Sequence, residues 1–479
     1  MNGISPVTLS SLIPAAPEIF LVLVGVMLII VDLFVRGKQV MPWLAGLGIV
    51  MTMILLLNNP GGPAFSEMFT ADSYSLFFKL VCLTGALLTV VLSPRYLELE
   101  DIQPGEYYAL LIFSIVGMMC MASATDLITL YTGLELMALS VYCLAGLMKA
   151  DIRSNEAAIK YYLMGAFSSA ILLYGISLLY GLTGTTSIVS LTHHLPVQLA
   201  GNHALMLAIG LILVSLFFKV AAAPFHMWTP DVYEGAPTSI TAFMSVAPKA
   251  AAFAVLGRIL LMGFPGFHAD WGPLIAAIAL LTMAVGNIVA IAQQSIKRML
   301  AYSSIAHAGY GLLGILAGTS EGLSATMNYM LVYAFMNMGA FAVVILLAAK
   351  GQRRENLEDY KGLAKTNPLL AATMLLFMFS LIGIPPTAGF IGKFYLMIAA
   401  IHAGYTWVVV GAVIFSAISA FFYLRVVHYM YMLEPATKFR AVLTPGMAAV
   451  LIMAVGGVVG IGILPESALE FAGRSLIGF

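Results

Sequence analysis

Charge is what this sequence has least of. Asp, Glu, Lys and Arg make up only 9% of its 479 residues, against about one-quarter in a soluble domain. Hydrophobic residues account for 61%, and mean hydropathy is +0.99. This balance excludes a water-soluble globule. Lipid is the solvent that suits it, and spans of about 20 apolar residues are its expected unit. Net charge is zero, so a basic footprint for nucleic acid is missing. Cysteine is nearly absent as well. Cys82, Cys120 and Cys143 lie in apolar runs without CxxC or Cys/His spacing, which argues against disulfide frameworks and zinc sites. The adjacent His193 and His194 read as a surface pair, not a metal site. No Rossmann glycine pattern follows a strand and no cysteine cluster occurs, so no flavin, nicotinamide, haem or iron–sulfur site is expected in this chain. The opening MNGISPVTLSSLIPAAPEIF has no Lys or Arg. It lacks the charged region of a signal peptide and reads as the first span.

What is present is a series of apolar segments. They fall roughly at 15–35, 40–58, 73–93, 107–123, 125–147, 156–182, 203–235, 238–263, 271–293, 296–318, 322–349, 368–402, 404–432 and 443–463. The expected fold is therefore an all-α membrane protein of about 14 transmembrane helices. Segments 203–235 and 368–402 are too long for one straight crossing. Each contains breakers near its middle, Pro224 in one and Gly383, Pro385 and Pro386 in the other. Such broken helices are tolerated only where protein or a water-filled cavity satisfies the freed backbone.

Positive charge sets the orientation. Loops after odd-numbered spans hold Arg36, Lys38, Arg95, Lys149, Arg153, Lys297, Arg298, Lys350, Arg353, Arg354, Lys361, Lys365, Lys438 and Arg440. Loops after even-numbered spans hold no Lys or Arg before the C-terminal tail. The positive-inside rule places both termini on the non-cytoplasmic side.

The remaining cations lie within spans, apart from Arg474 in the tail. Lys79, Arg258 and Arg425 are near enough to span ends to be read as interface anchors. Lys160, Lys219, Lys249 and Lys393 are deeper, and Glu135 is the carboxylate expected close to the midplane. His307 sits near the centre of its span. Each embedded charge costs roughly 2.5–3.5 kcal/mol even on the cheapest scale. Static pairing of Glu135 with Lys219 would leave three lysines unexplained. Desolvation disfavours an ammonium and a nearby carboxylate favours it, so a buried lysine with a movable carboxylate can gain and lose a proton. Glu135, Lys219, Lys249 and Lys393 are the candidate relay, with Lys160 and His307 as weaker members.

The layout repeats. The broken spans are the seventh and twelfth, and their lysines are 174 residues apart (393 − 219). Glu135 and His307 are 172 apart (307 − 135). Units of five spans make the second copy inverted, an arrangement typical of transporters. The expected division is residues 1–106 for three leading helices, 107–263 for the first repeat, 271–432 for the second, and 433–479 for the last helix and tail.

Three stretches carry a resemblance: FKVAAAPFHMWTPDVYEGAPTSITAFMSVAPKAAAF (218–253), IKRMLAYSSIAHAGYGLLG (296–314) and GIPPTAGFIGKFYL (383–396). They closely resemble the antiporter-like membrane chains of bacterial respiratory complex I, the NADH:quinone oxidoreductase, themselves similar to Mrp-type sodium/proton antiporter chains. WTPDVYEGAP and the lysine of GFIGK393 look like the N type among the three such chains. The resemblance implies proton translocation in a bacterial inner membrane, driven by electron transfer elsewhere in the complex. Flavin, iron–sulfur clusters and quinone would then belong to other chains. It implies neighbouring antiporter-like chains and membrane lipids as partners. By motif, Glu135 in YTGLELMALS looks like the fifth-helix glutamate and Lys219 like its relay lysine. Lys249 in APKAAAF looks like the link to the midplane, Lys393 like the end of the channel, and Lys160 in EAAIKYY like a sixth-helix lysine. His226 and Asp231, flanking the Pro224 break, are expected to hold its non-helical backbone. Alternatives are an Mrp-type antiporter chain, a membrane-embedded enzyme, for which no nucleophile–base pair or Asp-rich site is found, and a scaffold with vestigial charges.

Overall fold

The computed structural model describes residues 9–35, 37–194, 202–348, 354–435 and 441–476. Among these, thirteen helices are long and apolar enough to cross a membrane, and two shorter ones, Pro368–Ile382 and Ala388–His402, form the halves of a further crossing. The total of fourteen matches the segments in the sequence. We number them α1 (Ala16–Phe34), α2 (Met41–Leu57), α3 (Ser73–Leu99), α4 (Pro104–Ser123), α5 (Leu127–Ala145), α6 (Ile152–Thr183), α7a (His203–Val220) with α7b (Trp228–Gly235), α8 (Thr238–Gly257), α9 (His268–Ile291), α10 (Ile296–Leu316), α11 (Ser320–Leu347), α12a (Pro368–Ile382) with α12b (Ala388–His402), α13 (Thr406–Met432) and α14 (Pro445–Ile463). A small hairpin, Gly62–Ala64 against Phe69–Ala71, lies between α2 and α3. α8, α10 and α11 are the most deeply enclosed helices, and α8 is buried along its whole length.

Helix starts follow from capping chemistry. Asp72, Asp126, Asp151, Asn202, Ser295, Thr319 and Thr444 each accept a backbone N–H of the first turn, which satisfies donors that have no intrahelical partner. The two breaks end in the same way. Ala221 and Gly383 turn left-handed at φ +61° and +93°. Ala222 N–H then reaches back to Phe217 O at 2.8 Å, and Ile384 N–H to Phe379 O at 3.0 Å. Both are Schellman ends. Cis peptide bonds follow at Ala223–Pro224 and Pro385–Pro386.

The two five-helix units, α4–α8 and α9–α13, share a frame. Asp126 pairs with Ser187 in an isolated antiparallel bridge, and Ser295 pairs with Asn356 in another, at a constant offset of 169 (295 − 126, 356 − 187). The flanking bonds match. Leu127 N–H donates to Thr186 O and Ile188 N–H to Thr125 O, as Ile296 N–H donates to Glu355 O and Leu357 N–H to Gln294 O, all between 2.7 and 2.9 Å. Close helix contact is also shared. A Cβ on Gly117 of α4 would lie 2.6 Å from Gly133 O of α5, and one on Gly286 of α9 would lie 2.8 Å from Tyr302 O of α10. Five crossings per unit make the second copy inverted.

The residues read as interface anchors are placed otherwise. Arg258 is 1% exposed. It binds both Asp72 oxygens at 2.9 and 3.0 Å and Ala122 O at 2.9 Å. Arg425 occupies the equivalent place in the second unit, bonding Ile291 O at 2.7 Å and Gln293 O at 2.6 Å. Arg258 thus ties the end of α8 to the end of α4, and Arg425, two turns before the end of α13, ties that helix to the end of α9, where helix carbonyls lack partners. Lys79 is buried against Glu18 of α1 at 2.6 Å, so Glu18 is a second carboxylate inside a span. Lys297 and Arg298 belong to the first turn of α10, not to a loop. Lys297 is buried on Glu355 at 3.1 Å. Arg36, Lys350, Arg353, Lys438 and Arg440 lie outside the described residues, as do the side chains of His193 and His194.

The Arg258 clamp makes a testable demand. Burial disfavours the ionised Asp72, but the Arg258 guanidinium and Ser75 outweigh it and hold the carboxyl below its ordinary range. Because the folded value is depressed, this stability is present above about pH 4, the unfolded carboxyl value, and is lost as pH falls through the folded value. Arg258→Met is expected to cost about 1–3 kcal/mol by leaving Asp72, its side chain 24% exposed, without its charged partner. Arg258→Met combined with Asp72→Asn is expected to recover most of that loss in a thermal-unfolding measurement at pH 7.

Candidate functional site

The buried ionisable side chains divide into paired and unpaired. Glu18–Lys79, Asp72–Arg258 and Lys297–Glu355 are ion pairs closed at 3.1 Å or less. The four residues of the candidate relay are not closed in this way.

Glu135 projects from α5, nine residues in, or about 12 Å from its start. Its Oε1 is buried without a protein hydrogen-bond partner. Lys219, near the end of α7a, is 5% exposed. Its Nζ approaches Tyr142 Oη of α5 at 3.5 Å and lies 5.8 and 5.6 Å from the Tyr142 and Phe218 rings. Lys219 and Glu135 do not form a direct ion pair. From Tyr142 an aromatic wall runs inward, with Tyr161 at 4.7 Å and Trp228 stacked on Tyr161 at 4.4 Å. Tyr233 comes next, 5.9 Å from Trp228.

Ser304 marks the next lysine. Lys249 of α8 donates to Ser304 O at 2.7 Å and to its Oγ. One turn along α10, His307 is held between two hydroxyls, with Nδ1 to Tyr329 Oη at 2.5 Å and Nε2 to Tyr423 Oη at 3.2 Å. Tyr423 also meets Ser303 Oγ at 2.5 Å. A further turn along, the Tyr310 ring lies 4.5 Å from Lys393 Nζ. Ser304, His307 and Tyr310, spaced three apart, therefore form one face of α10 between Lys249 and Lys393.

Lys393 is placed by the second break. Its Nζ donates to Leu381 O at 3.0 Å and Ile382 O at 2.8 Å, the freed carbonyls at the end of α12a, and to Ser416 Oγ of α13 at 3.2 Å. A cation there also meets the negative end of the half-helix dipole. At the first break the corresponding duty falls to Trp228, whose Nε1 donates to Phe218 O at 3.0 Å, and to Thr282 of α9, whose Oγ1 accepts from Ala223 N at 2.9 Å.

The remaining expected residues are placed less simply. Lys160 is half-exposed, paired with Glu156 at 2.6 Å and Asp231 at 3.0 Å. Asp231 is also bound by Arg298 at 2.9 Å, so it joins a surface charge cluster and makes no recorded bond to the broken backbone. His226 is half-buried within the break. Pro224, Pro385 and Pro386 sit in the breaks with exposed rings. Among the described residues no three His, Cys, Asp or Glu side chains converge as a metal site.

The hydroxyl partners Tyr142, Ser304, Tyr329, Tyr423 and Ser416 were not singled out from sequence, because a neutral hydroxyl in an apolar helix carries no charge signal. The three-residue spacing of Ser304, His307 and Tyr310 is the trace they leave. Removing one should be measurable. Tyr329→Phe leaves His307 Nδ1 buried without its partner and is expected to cost about 1–3 kcal/mol, read as a lowered Tm of the purified protein.

Comparison with known proteins places this geometry. Residues 124–421 match the family described as NADH:quinone oxidoreductase/Mrp antiporter, TM. The match spans Glu135, Lys219, Lys249, His307 and Lys393. A curated relative from Desulfovibrio desulfuricans, named NADH-quinone oxidoreductase subunit N, is 51% identical with 96% of each chain covered. A protein of the same name from Trichlorobacter lovleyi is 48% identical over 96% of each chain. Among solved structures, a chain of respiratory complex I from Thermus thermophilus is 34% identical with a TM-score of 0.81, covering 95% of this chain and 99% of its own. A chain of the Mrp complex from Dietzia sp. reaches a TM-score of 0.84 at 21% identity, covering 98% of this chain and 97% of its own, a likeness of fold.

Proposed function

The chain belongs to the NADH:quinone oxidoreductase/Mrp antiporter membrane family, among relatives named subunit N, and from that membership we propose that it translocates protons through a row of buried side chains as part of an NADH:quinone oxidoreductase. The observation carrying the reading is the contrast between closed and open charges. Where an ammonium touches a carboxylate, as Lys79 does Glu18, the proton is fixed. Lys249 and Lys393 touch only carbonyls and hydroxyls, and Lys219 faces Glu135 without contact. A buried ammonium with no countercharge is the one whose proton can be moved by shifting a charge nearby.

Each member has a role in this reading. Protons are taken up from the cytoplasm and held on Lys219 and Lys249. They cross the midplane by the Ser304, His307 and Tyr310 face and leave the other side through Lys393. Glu135 approaching or retreating from Lys219 biases its proton. Buried polar atoms without protein partners, at Glu135, Ser169 and Asn337, support water along the route, since such atoms are rarely left unbonded. Lys160 tunes the cytoplasmic side through Asp231. Pro224, Pro385 and Pro386 keep both breaks open, and His226 lines the first.

Membership also bears on surroundings. The reading assigns flavin, iron–sulfur and quinone chemistry to other chains, puts both termini on the non-cytoplasmic side of a bacterial inner membrane, and divides the chain at residues 106, 263 and 432. Glu156, Lys160, Asp231, Pro224 and Met227 are partly or fully exposed beside the first break. Lipid does not accept irregular backbone or charge at depth, so this side of α6 and α7 is where a neighbouring membrane chain seats, and lipids cover the apolar remainder.

Two measurements test the proposal. A purification through a tag on this chain is expected to yield a large assembly with NADH:quinone reductase activity. A small assembly without that activity, holding antiporter chains instead, would move the assignment to the Mrp type. In the assembled enzyme, Lys219→Ala is expected to lower NADH-driven proton pumping about tenfold or more, the scale on which a lost proton-transfer group acts. Pumping at the wild-type rate would end the relay reading.

A further inference from the structure

A cleft of about 1230 Å³ opens between the α3–α4 and α5–α6 loops and residues 354–359, with walls richer in carboxylates than in bases. Glu355 is in its lining with the side chain only 11% exposed. It accepts from Lys297 Nζ at 3.1 Å and from Thr238 Oγ1 at 3.2 Å. Lys297 is fixed further by Ala236 O at 2.7 Å. Glu355 is thus a carboxylate standing between open cleft and buried protein, bonded to the first residue of α8.

From Thr238 a polar stripe continues down α8 as Thr241, Ser245 and Lys249. Spacings of three, four and four keep these side chains on one face, and eleven residues advance about 16 Å. All four are buried. Each has its own neighbour: Thr241 Oγ1 donates to Tyr233 O at 2.8 Å, Ser245 Oγ accepts from Asn337 Nδ2 at 2.5 Å, and Lys249 holds Ser304. Asn337 is 0% exposed, and its Oδ1 has no protein partner. A buried amide oxygen in that state calls for water beside Ser245.

The frame alone does not require this stripe. Arg258 holds α8 to the end of α4 as Arg425 holds α13 to the end of α9. Counting back equally from Arg425, the places of Thr241, Ser245 and Lys249 are taken by Val408, Ala412 and Ser416. The inverted copy keeps the arginine and drops the polar ladder.

We infer that protons reach Lys249 from the cytoplasmic cleft past Glu355 and along the Thr238, Thr241 and Ser245 stripe of α8. The inference rests on the relay reading of Lys249 and names its supply. A hydronium ion drawn to the carboxylate-rich cleft, at whose inner end Glu355 stands, passes its proton to water held along the stripe, and the neutral amine of Lys249 receives it. The Glu355–Lys297 pair stays closed, and no electrons move. Thr241 and Ser245 are positioning residues, since they hold the water and do not themselves change protonation.

The test uses the assembled oxidoreductase in liposomes, with the initial rate of NADH-driven pumping measured per assembled complex. Glu355→Gln keeps the shape and loses the negative charge at the mouth of the stripe, and Thr241→Val with Ser245→Ala removes the stripe. Each is expected to slow pumping at least about fivefold, a modest part of what a lost proton-transfer group costs. Glu355→Asp and Thr241→Ser are expected to restore more than half of the rate, which a purely structural defect would not predict. If the stripe double variant does not assemble, Glu355→Gln against Glu355→Asp decides. Wild-type pumping in Glu355→Gln, with Lys249→Ala impaired, overturns the supply route alone. Wild-type pumping in Lys249→Ala overturns the relay reading with it.

Discussion

Lipid donates and accepts no hydrogen bonds, and every unusual feature of this bundle answers to that constraint. A membrane helix can be broken only if something inside the protein takes up the freed carbonyls. Here that need is met twice by different means. At the first break Trp228 takes Phe218 O and Thr282 reaches across from the other unit to Ala223 N–H. At the second, Lys393 takes Leu381 O and Ile382 O. The break therefore creates a place where a buried ammonium is stabilised by backbone dipoles and needs no carboxylate. An unbroken helix would offer Lys393 no open carbonyls, and a carboxylate in their place would fix its charge.

That difference shows what an inverted repeat supplies. The bridges at Asp126 and Ser295, the Schellman ends, the close glycine contacts and the arginine clamps are common to both units. They are the frame, and they set where a break can occur and at what depth. Chemistry is then laid on unequally. The first unit has the carboxylate of Glu135 in α5 where the second has Ser304 in α10, at the same offset of 169 (304 − 135). The first unit has Lys249 where the second has Ser416, which hydrogen-bonds Lys393. A symmetric pair of half-sites could hold protons on both sides with no preference between them. Unequal groups in equal places give the row a direction along which charge can step.

Much of this was legible in the sequence because charge in an apolar span is conspicuous. Fourteen crossings, two breaks and the candidate lysines all follow from hydrophobic length, Pro/Gly position and residual charge, and the structure places Lys219, Lys249 and Lys393 in the interior. What the sequence did not disclose is pairing across distance. Lys79 and Arg258 lie near span ends, and nothing local says that Glu18 and Asp72 will meet them. Lys297 and Arg298 follow a short polar turn and read as loop cations, yet Ser295 caps the helix just before them and draws both into α10. Asp231 flanks the broken segment in sequence and bonds elsewhere because Lys160, more than 70 residues earlier, faces it (|i − j| = 71). Neutral hydroxyls were the least visible, though the Ser304, His307 and Tyr310 face of α10 is built largely from them.

Burial alone is therefore a poor guide to which charges move. Lys79 at 1% exposure is better buried than Lys219 at 5%, and by that measure it would be the stronger functional candidate. Its partner decides otherwise. Separating Lys79 from Glu18 inside the bundle leaves two uncompensated charges, a cost of about 3–5 kcal/mol by analogy with broken buried pairs, whereas loss of a proton from Lys249 would strand no anion. An ammonium held by carbonyls and hydroxyls keeps useful contacts in either state, because the neutral amine still donates to them. A proton-conducting row through lipid should then be sought among buried cations that have dipoles and hydroxyls for neighbours, with the carboxylate, like Glu135 here, standing close enough to be felt and too far to bind.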